Sequence, residues 1–329
     1  MQTIYYKIKR KLWEKWVSFS RHRVWYPYIY KSSWYRKTNS NKGINGIVQQ
    51  YFSAIPNSNA GIGHQMANWI AGYWFAQQFN LKFAHIPFSS NKWDSFLGFG
   101  YGEIPVQELI KQGYKKVRLP LFDENNVKEV TLIKTIISAY SNKKVIFVCE
   151  QDQFYQDQFG VMYGIQQKFY SAPQRKVEKL IYSDQNYNIA IHVRRGDILA
   201  DPNNPNLKMR FMANDYFETV LKQVIAKSKT EKLIHIYFFS QGRPEDYPEF
   251  HSIQNLHWCL DMDPQASFLH MVFADVLITS KSSFSYKPAL LNKNIKVVPN
   301  NFWHGYPQTQ DWVLVDDDGQ LDFEERIKM

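Results

Sequence analysis

The 329 residues, 44% of them hydrophobic, supply enough apolar side chains for the cores of two medium-sized α/β domains. Two cysteines, Cys149 and Cys259, each lie within an apolar run, which argues against a disulfide framework and fits a reducing cytoplasm. No run approaches the roughly 18 apolar residues needed to span a bilayer, and residues 1–30 lack the apolar core of a secretory signal. We therefore expect a cytoplasmic protein without a transmembrane segment.

The net charge of +10 comes from the amino-terminal residues, of which 1–45 are predicted to form an arm outside the folded domains. Residues 1–42 hold eleven Lys or Arg, one acid and eleven aromatic side chains, whereas the rest of the chain is formally neutral. Cations attract anionic lipids and aromatic rings favour the headgroup region, so we expect the arm to bind the inner face of the membrane peripherally. The surface of the protein body is one alternative partner. A nucleic acid is a weaker one, because no nucleic-acid module follows the arm.

In the first half of the body, short apolar runs that predict strands alternate with longer periodic runs that predict helices. The predicted strands are Ile47–Ile55, Lys82–Ile86 and Val145–Cys149, and the predicted helices are Gln65–Phe79 and Val130–Tyr140. The loop Pro56–Gly63 separates the first strand from the first helix, an order typical of nucleotide-binding folds.

The second half repeats this alternation. Its predicted strands are Ile189–Val193, Leu233–Phe239, Leu256–Leu260, Val276–Thr279 and Ile295–Val298, and its predicted helices are Phe217–Lys227, Gln265–Phe273 and Phe284–Leu291. Strands that alternate with helices predict parallel sheets. The sequence therefore predicts an α/β protein with two Rossmann-type domains facing a cleft, residues 46–175 and 176–329.

The strand Ile189–Val193 is followed at once by Arg194, Arg195, Gly196 and Asp197. In an open α/β sheet, ligands bind beyond the carboxyl ends of the strands, where these side chains are expected to lie. An arginine can hold two phosphate oxygens in a bidentate fork, and a glycine lets the backbone turn without a Cβ clash. The pattern predicts a phosphate site; the alternative is a salt bridge between one arginine and Asp197.

The string His192-Val193-Arg194-Arg195-Gly196-Asp197 resembles the His-x-Arg-Arg-x-Asp motif of the α-1,2, α-1,6 and protein O-fucosyltransferase superfamily, with the glycine typical of α-1,2 enzymes. The strand ending in Ser282-Ser283-Phe284-Ser285 and the loop Gly61-Ile62-Gly63-His64-Gln65 resemble two further motifs of that superfamily. The resemblance implies a GT-B-like fold with an acceptor domain followed by a nucleotide-sugar domain. It also implies inverting transfer of L-fucose from GDP-fucose to a glycan, of the bacterial surface polysaccharide type, without a metal or another cofactor.

The resemblance also assigns roles to residues of the donor site. It implies that Arg194 contacts the β-phosphate, that His192 supports the site, and that Arg195 and Asp197 complete it. Asp275 occupies the place of a carboxylate that contacts guanine in α-1,6 relatives, where its two acceptors would match two guanine N–H donors. An ordinary aspartate at a helix end is the alternative for this position.

Ser282, Ser283 and Phe284 follow a predicted strand and begin a predicted helix. Their N–H groups and hydroxyls are expected to bind phosphate at the positive end of that helix. The alternative is a serine that only caps the helix.

The Gly loop contributes three further candidates. Gly61 and Gly63 are expected to bring the backbone close to the donor. His64 stands where the family has asparagine, and it could accept the acceptor's proton, contact phosphate, or serve only as a hydrogen-bonding residue at the helix start. Asp94 and Glu103 are alternative carboxylate bases.

Three features leave other functions open. Tyr286-Lys287 and Gln241-Gly242 replace residues common in the α-1,2 enzymes, so another nucleotide sugar is an alternative donor. Asp261-Met262-Asp263 formally matches the Asp-x-Asp of metal-dependent glycosyltransferases. A non-catalytic protein that binds glycans or a membrane surface is the alternative of another class.

Overall fold

The computed structural model describes residues 48–149, 155, 157–200 and 209–321, together with Ile8, Lys11, Leu12, Lys15, Trp16 and Phe19. Those six residues are helical, and the rest of the predicted arm, residues 1–45, lies outside the described residues. Within the described part, no helix combines the length and apolar character that crossing a membrane requires.

The chain divides into two compact units. The first comprises Met1–Ala60, Ala67–Ser89 and Gly102–Tyr155, and the second comprises Gly61–Met66, Ser90–Tyr101 and Gln156–Met329. The helices of the amino-terminal half are α1 (Ile62–Gln78), α2 (Asn91–Leu97), α3 (Val106–Lys111) and α4 (Val127–Ser138).

The first unit is built on a parallel sheet of β1 (Tyr51–Ala54), β2 (Lys82–His85), β3 (Ile104–Pro105), β4 (Lys115–Arg118) and β5 (Val145–Cys149). The strand order is β3-β2-β1-β5-β4, and each neighbouring pair is parallel. Every residue of β5 is buried, as expected of a parallel strand covered on both faces. The edge strand β4 buries only Val117.

The second unit is built on a parallel sheet of β6 (Tyr187–His192), β7 (Ile234–Ser240), β8 (Leu256–Leu260), β9 (Val276–Ile278), β10 (Ile295–Pro299) and β11 (Trp312–Val315). Its helices are α5 (Met162–Ser171), α6 (Asp197–Ala200), α7 (Asn214–Lys227), α8 (Pro264–Phe273) and α9 (Ser283–Leu291). Every strand and helix predicted from the sequence has a counterpart in the structure, and the predicted α/β class with parallel sheets is confirmed.

The strand order of the second sheet, β8-β7-β6-β9-β10-β11, is the 3-2-1-4-5-6 order of a Rossmann fold. The chain winds from β6 to β8 on one side and then continues with β9 on the other side of β6. The order therefore reverses between β6 and β9, and ligands of such sheets bind beyond the carboxyl ends of the strands at this point. The segments that follow His192 and Ile278 meet there.

The second unit begins at Gln156, within the predicted first domain, residues 46–175, and the predicted domain boundary stays a prediction. The second unit already includes everything after Tyr155 and the segment Ser90–Tyr101. Helix α5 lies in the second unit, where the hydroxyl of Tyr170 donates a hydrogen bond to the carbonyl of Leu291 on α9, 3.1 Å away. Packing between distant segments, which no local pattern reports, sets this boundary.

Candidate active site

Arg194 lies just beyond the carboxyl end of β6, and its Nη1 donates a hydrogen bond to Oγ of Ser282, 3.1 Å away. Ser282 is buried and caps α9, since the same oxygen accepts from the N–H of Phe284 at 3.2 Å. The capping role considered for this serine is therefore confirmed, and the cap also binds the arginine. A guanidinium group and the positive end of a helix dipole thus lie together at the reversal point of the sheet.

His192 is buried at the end of β6, with Nδ1 2.8 Å from Oγ of Ser280. Ser280 in turn contacts Oγ of Ser285 at 3.4 Å, so the histidine holds the loop between β9 and α9. Burial, followed by the charges of Arg194 and Arg195, lowers the pKa of His192 to about 3. The ring is therefore neutral at physiological pH and acts as a hydrogen-bonding support.

Arg195 makes contacts that differ from those of its neighbour. Its Nη1 donates to the carbonyl of Arg194 at 2.8 Å, and its Nη2 donates to Oδ1 of Asn214, the first residue of α7. The guanidinium carbon also lies 4.9 Å from the centre of the Phe211 ring, and burial lowers the pKa of Arg195. These contacts make Arg195 a positioning residue that ties α7 to the end of β6.

Gly196 has a φ of +71°, a conformation that favours glycine. A Cβ at this position would collide with the side-chain amide of Gln241, which follows β7. Asp197 begins α6, but its side chain lies outside the described part, so its predicted role stays a prediction. The turn after Arg195 therefore requires glycine for two independent reasons.

Gly63 lies in the first turn of α1, where a Cβ would come within 2.9 Å of the backbone carbon of Ser283. The missing side chain thus lets the start of α1 contact the start of α9. Gly61 differs, because a Cβ there would have no atom within 4 Å. His64 follows Gly63, and its N–H donates to the carbonyl of Gly61 at 3.1 Å. The Gly loop therefore lies beside the Arg194–Ser282 contact.

Asp275 lies at the other end of the sheet. Its Oδ2 accepts a hydrogen bond from the N–H of Asn188 at 2.7 Å, near the amino end of β6. Arg194 lies six positions after Asn188, which corresponds to about 20 Å of extended strand. The structure does not bring Asp275 to the Arg194 site, so the predicted guanine contact is corrected to a hydrogen bond that joins β6 to the residue before β9.

The carboxylates of the Asp-x-Asp triplet have separate structural partners. Asp263 caps α8 by accepting from the N–H of Gln265 at 3.0 Å, and it pairs with Lys92 at 3.0 Å. The hydrogen bond from Lys92 lowers the pKa of Asp263. Oδ2 of Asp261 lies 3.4 Å from the N–H of Gly242. In the described part of the chain, no group of three or more His, Cys, Asp or Glu could hold a metal ion.

Several residues of this region were not predicted from the sequence. Ser280 and Asn214 are the partners of the two motif side chains described above. Lys287, on α9, is fully buried, and its Nζ donates to Oε1 of Gln158, which is fully buried too. The sequence signal for this buried pair was a lysine within the apolar run of a short helix. Lysine is almost never fully buried unless it is paired, so a buried partner could have been expected.

No family model matches this chain, and neither does any curated protein by sequence. Among solved structures, it is similar to a variant of FUT1 from Arabidopsis thaliana in complex with GDP, at 11% identity and a TM-score of 0.46, over 82% of this chain and 74% of that one. It is also similar to POFUT1 in complex with GDP, at 11% identity and a TM-score of 0.43, over 76% and 98%. A third similarity is to NodZ α-1,6-fucosyltransferase soaked with GDP-fucose, at 11% identity and a TM-score of 0.42, over 74% and 92%.

Proposed function

We propose that this protein is an inverting glycosyltransferase that transfers L-fucose from GDP-fucose to a hydroxyl of a glycan. The observation that carries the proposal is the contact between Arg194 and the cap of α9 at the reversal point of a Rossmann sheet. A guanidinium group can bind two phosphate oxygens at once, and a helix N-terminus also favours phosphate, so the two together suit a diphosphate. The His-x-Arg-Arg-Gly-Asp string supports GDP-fucose as the donor, and its glycine favours the α-1,2 branch.

In the proposed reaction, the acceptor hydroxyl attacks the anomeric carbon on the face opposite the diphosphate. The bond between that carbon and the β-phosphate oxygen breaks, and its electron pair leaves with GDP. Arg194 and the positive end of α9 stabilise the charge that develops on this oxygen. The hydroxyl proton passes to a base, and His64, in the first turn of α1, is our candidate. His192 is excluded because its ring is buried and hydrogen-bonded to Ser280.

We further propose that the arm holds the enzyme on an anionic membrane surface, where a lipid-linked glycan would be within reach. Ile8, Leu12 and Phe19 are helical and more than half exposed, at 54%, 63% and 67%. Their spacings of four and seven residues put them on one face of a helix. An exposed apolar face in a basic segment suits the boundary between headgroups and acyl chains.

The donor is tested by thermal unfolding with GDP, UDP, ADP and CMP, followed by GDP release from GDP-fucose with and without glycan acceptors. A nucleotide at 100 times its dissociation constant stabilises by about 2.7 kcal/mol, and GDP should be the one that does so. A response to another nucleotide would move the proposal to another donor. GDP binding without any turnover would favour the non-catalytic alternative.

A further inference from the structure

Five lysines lie at or just before the amino ends of β4 and β5, and we refer to them as the lysine edge: Lys111, Lys115, Lys116, Lys143 and Lys144. Helix α3 ends at the first of them, β4 begins at the second, and β5 begins directly after the last. The N–H of Lys115 donates to the carbonyl of Lys144 at 3.0 Å, which joins the two segments. Neither residues 109–122 nor residues 139–149 contain an acid. Their positive charge is therefore not neutralised from within these segments.

Tyrosine rings lie among these lysines. Nζ of Lys144 is 5.9 Å from the centre of the Tyr114 ring, and Nζ of Lys143 is 5.5 Å from that of Tyr140. The ring of Tyr114 packs edge-on against that of Tyr51 at 5.5 Å. Tyr140 is buried, whereas Tyr114 is half-buried, and a cation next to a half-buried tyrosine suits a surface with anionic lipid headgroups.

The residues that lead into β1 lie at this same edge. The hydroxyl of Tyr114 donates to the carbonyl of Gln49 at 3.0 Å, and the amide of Gln50 donates to the carbonyl of Tyr140. Both glutamines immediately precede β1, so the chain enters the first sheet beside the two tyrosines that contact Lys144 and Lys143.

We propose that the lysine edge is a second contact with the anionic membrane surface on which the arm lies. It is formed at the amino ends of β4 and β5, away from the carboxyl ends where ligands of parallel sheets bind. One amphipathic segment alone gives marginal, reversible binding, and a second linked contact strengthens it because its engagement is intramolecular. The inference rests on the proposed role of the arm but not on the proposed transfer reaction.

The test is co-sedimentation of the full-length chain with vesicles of phosphatidylcholine alone or mixed with phosphatidylserine. In one variant, all five lysines of the lysine edge are changed to glutamate. In the matched control, five exposed lysines of the second unit are changed to glutamate: Lys176, Lys179, Lys227, Lys229 and Lys232. The larger variants could fail to fold, so a milder pair of double variants is also compared. The test variant carries Lys115→Gln and Lys116→Gln, and its control carries Lys176→Gln and Lys179→Gln.

The lysine edge variant should bind phosphatidylserine vesicles about tenfold or more weakly than the control, while both release GDP equally with a soluble acceptor. The milder pair should shift in the same direction by a smaller factor. Equal binding by the lysine edge variant and its control would overturn the inference alone. If the wild-type chain binds RNA but not these vesicles, the proposed role of the arm is wrong as well. If the wild-type protein transfers no fucose, the proposed reaction is wrong, but the vesicle experiment still tests the lysine edge.

Discussion

Arg194 donates from Nη1 to Oγ of Ser282 at 3.1 Å, so the residue after β6 and the cap of α9 are joined although 88 positions separate them in the chain. The contact fixes a guanidinium group beside the N-terminus of a helix. Both groups favour an anion, and the hydrogen bond holds them in one arrangement. Such preorganisation is what lets a site stabilise charge in a transition state without first rearranging.

The first prediction concerns Arg194 itself. Arg194→Lys should lower kcat/KM for GDP release by about a hundredfold, because lysine offers a point charge in place of a bidentate fork. Thermal stability should change little, and Arg118→Lys on β4 is the matched control. A variant that retains more than about half of the wild-type kcat/KM, a loss below roughly 0.4 kcal/mol, would remove Arg194 from the mechanism.

The second prediction separates the two glycines of the loop. Gly63→Ala should destabilise the protein by about 1–3 kcal/mol and weaken GDP binding, because its Cβ would be forced against the backbone of Ser283. Gly61→Ala should be neutral, or stabilise by up to about 1 kcal/mol, because its Cβ meets open space. Denaturant unfolding of both variants, with GDP titration, measures this difference. Equal effects would show that the close approach of α1 to α9 is not what Gly63 provides.

The third prediction concerns acid stability. The pKa of His192 is lowered to about 3 by burial and by the two arginines, so between pH 6.5 and 3 the unfolded chain takes up a proton that the folded protein does not. Stability should therefore fall as the pH falls through this window, by up to about 1.4 kcal/mol per pH unit. Denaturant unfolding at a series of pH values should show that the stability of His192→Asn falls less steeply than that of wild type as the pH falls from 6.5 to 3. Parallel profiles of stability against pH for wild type and His192→Asn would contradict the assignment.

The fourth prediction is that transfer persists in excess EDTA. Arg194 and the N-terminus of α9 are expected to neutralise the diphosphate, whereas Asp263 serves as a helix cap paired with Lys92. The check is GDP release with EDTA and after Mn²⁺ is added back, in wild type and in Asp263→Asn, because asparagine caps helices about as well as aspartate. Activity that disappears in EDTA, returns with Mn²⁺ and is absent from Asp263→Asn would move the diphosphate to the Asp-x-Asp triplet.

The fifth prediction concerns the arm. Removal of residues 1–42 should release the protein from anionic vesicles yet spare transfer to a soluble acceptor, because the Arg194 site lies beyond it in the chain. High salt should release the full chain in part, since surface attraction is screened over about 8 Å at physiological ionic strength. Sedimentation with phosphatidylserine vesicles measures both effects. A truncated chain that sediments like the full one would show that the arm is not the anchor.

Burial explains why one strand of the first sheet was predicted from the sequence and another was not. The strand β5, Val145–Cys149, is buried at every residue and was predicted with its exact bounds. The strand β4, Lys115–Arg118, is an edge strand with only Val117 buried, and it was missed along with the six-residue helix α3. A short element with few buried positions has too few apolar residues to establish a period. Three lysines of the lysine edge, Lys111, Lys115 and Lys116, lie in these two unpredicted elements.

For the site, the α/β class, the strand before Arg194 and the helix that Ser282 caps are predicted correctly from the amino-acid sequence. These features follow from periodicity and from residue types that act over a few positions. Only the three-dimensional structure shows which strands are neighbours. The strand order brings Arg194 to Ser282 and keeps Asp275 at the other end of the sheet. The side chain of Arg195 turns instead toward Asn214. Strand order depends on the burial of apolar faces that are far apart in the chain, so no local pattern contains it.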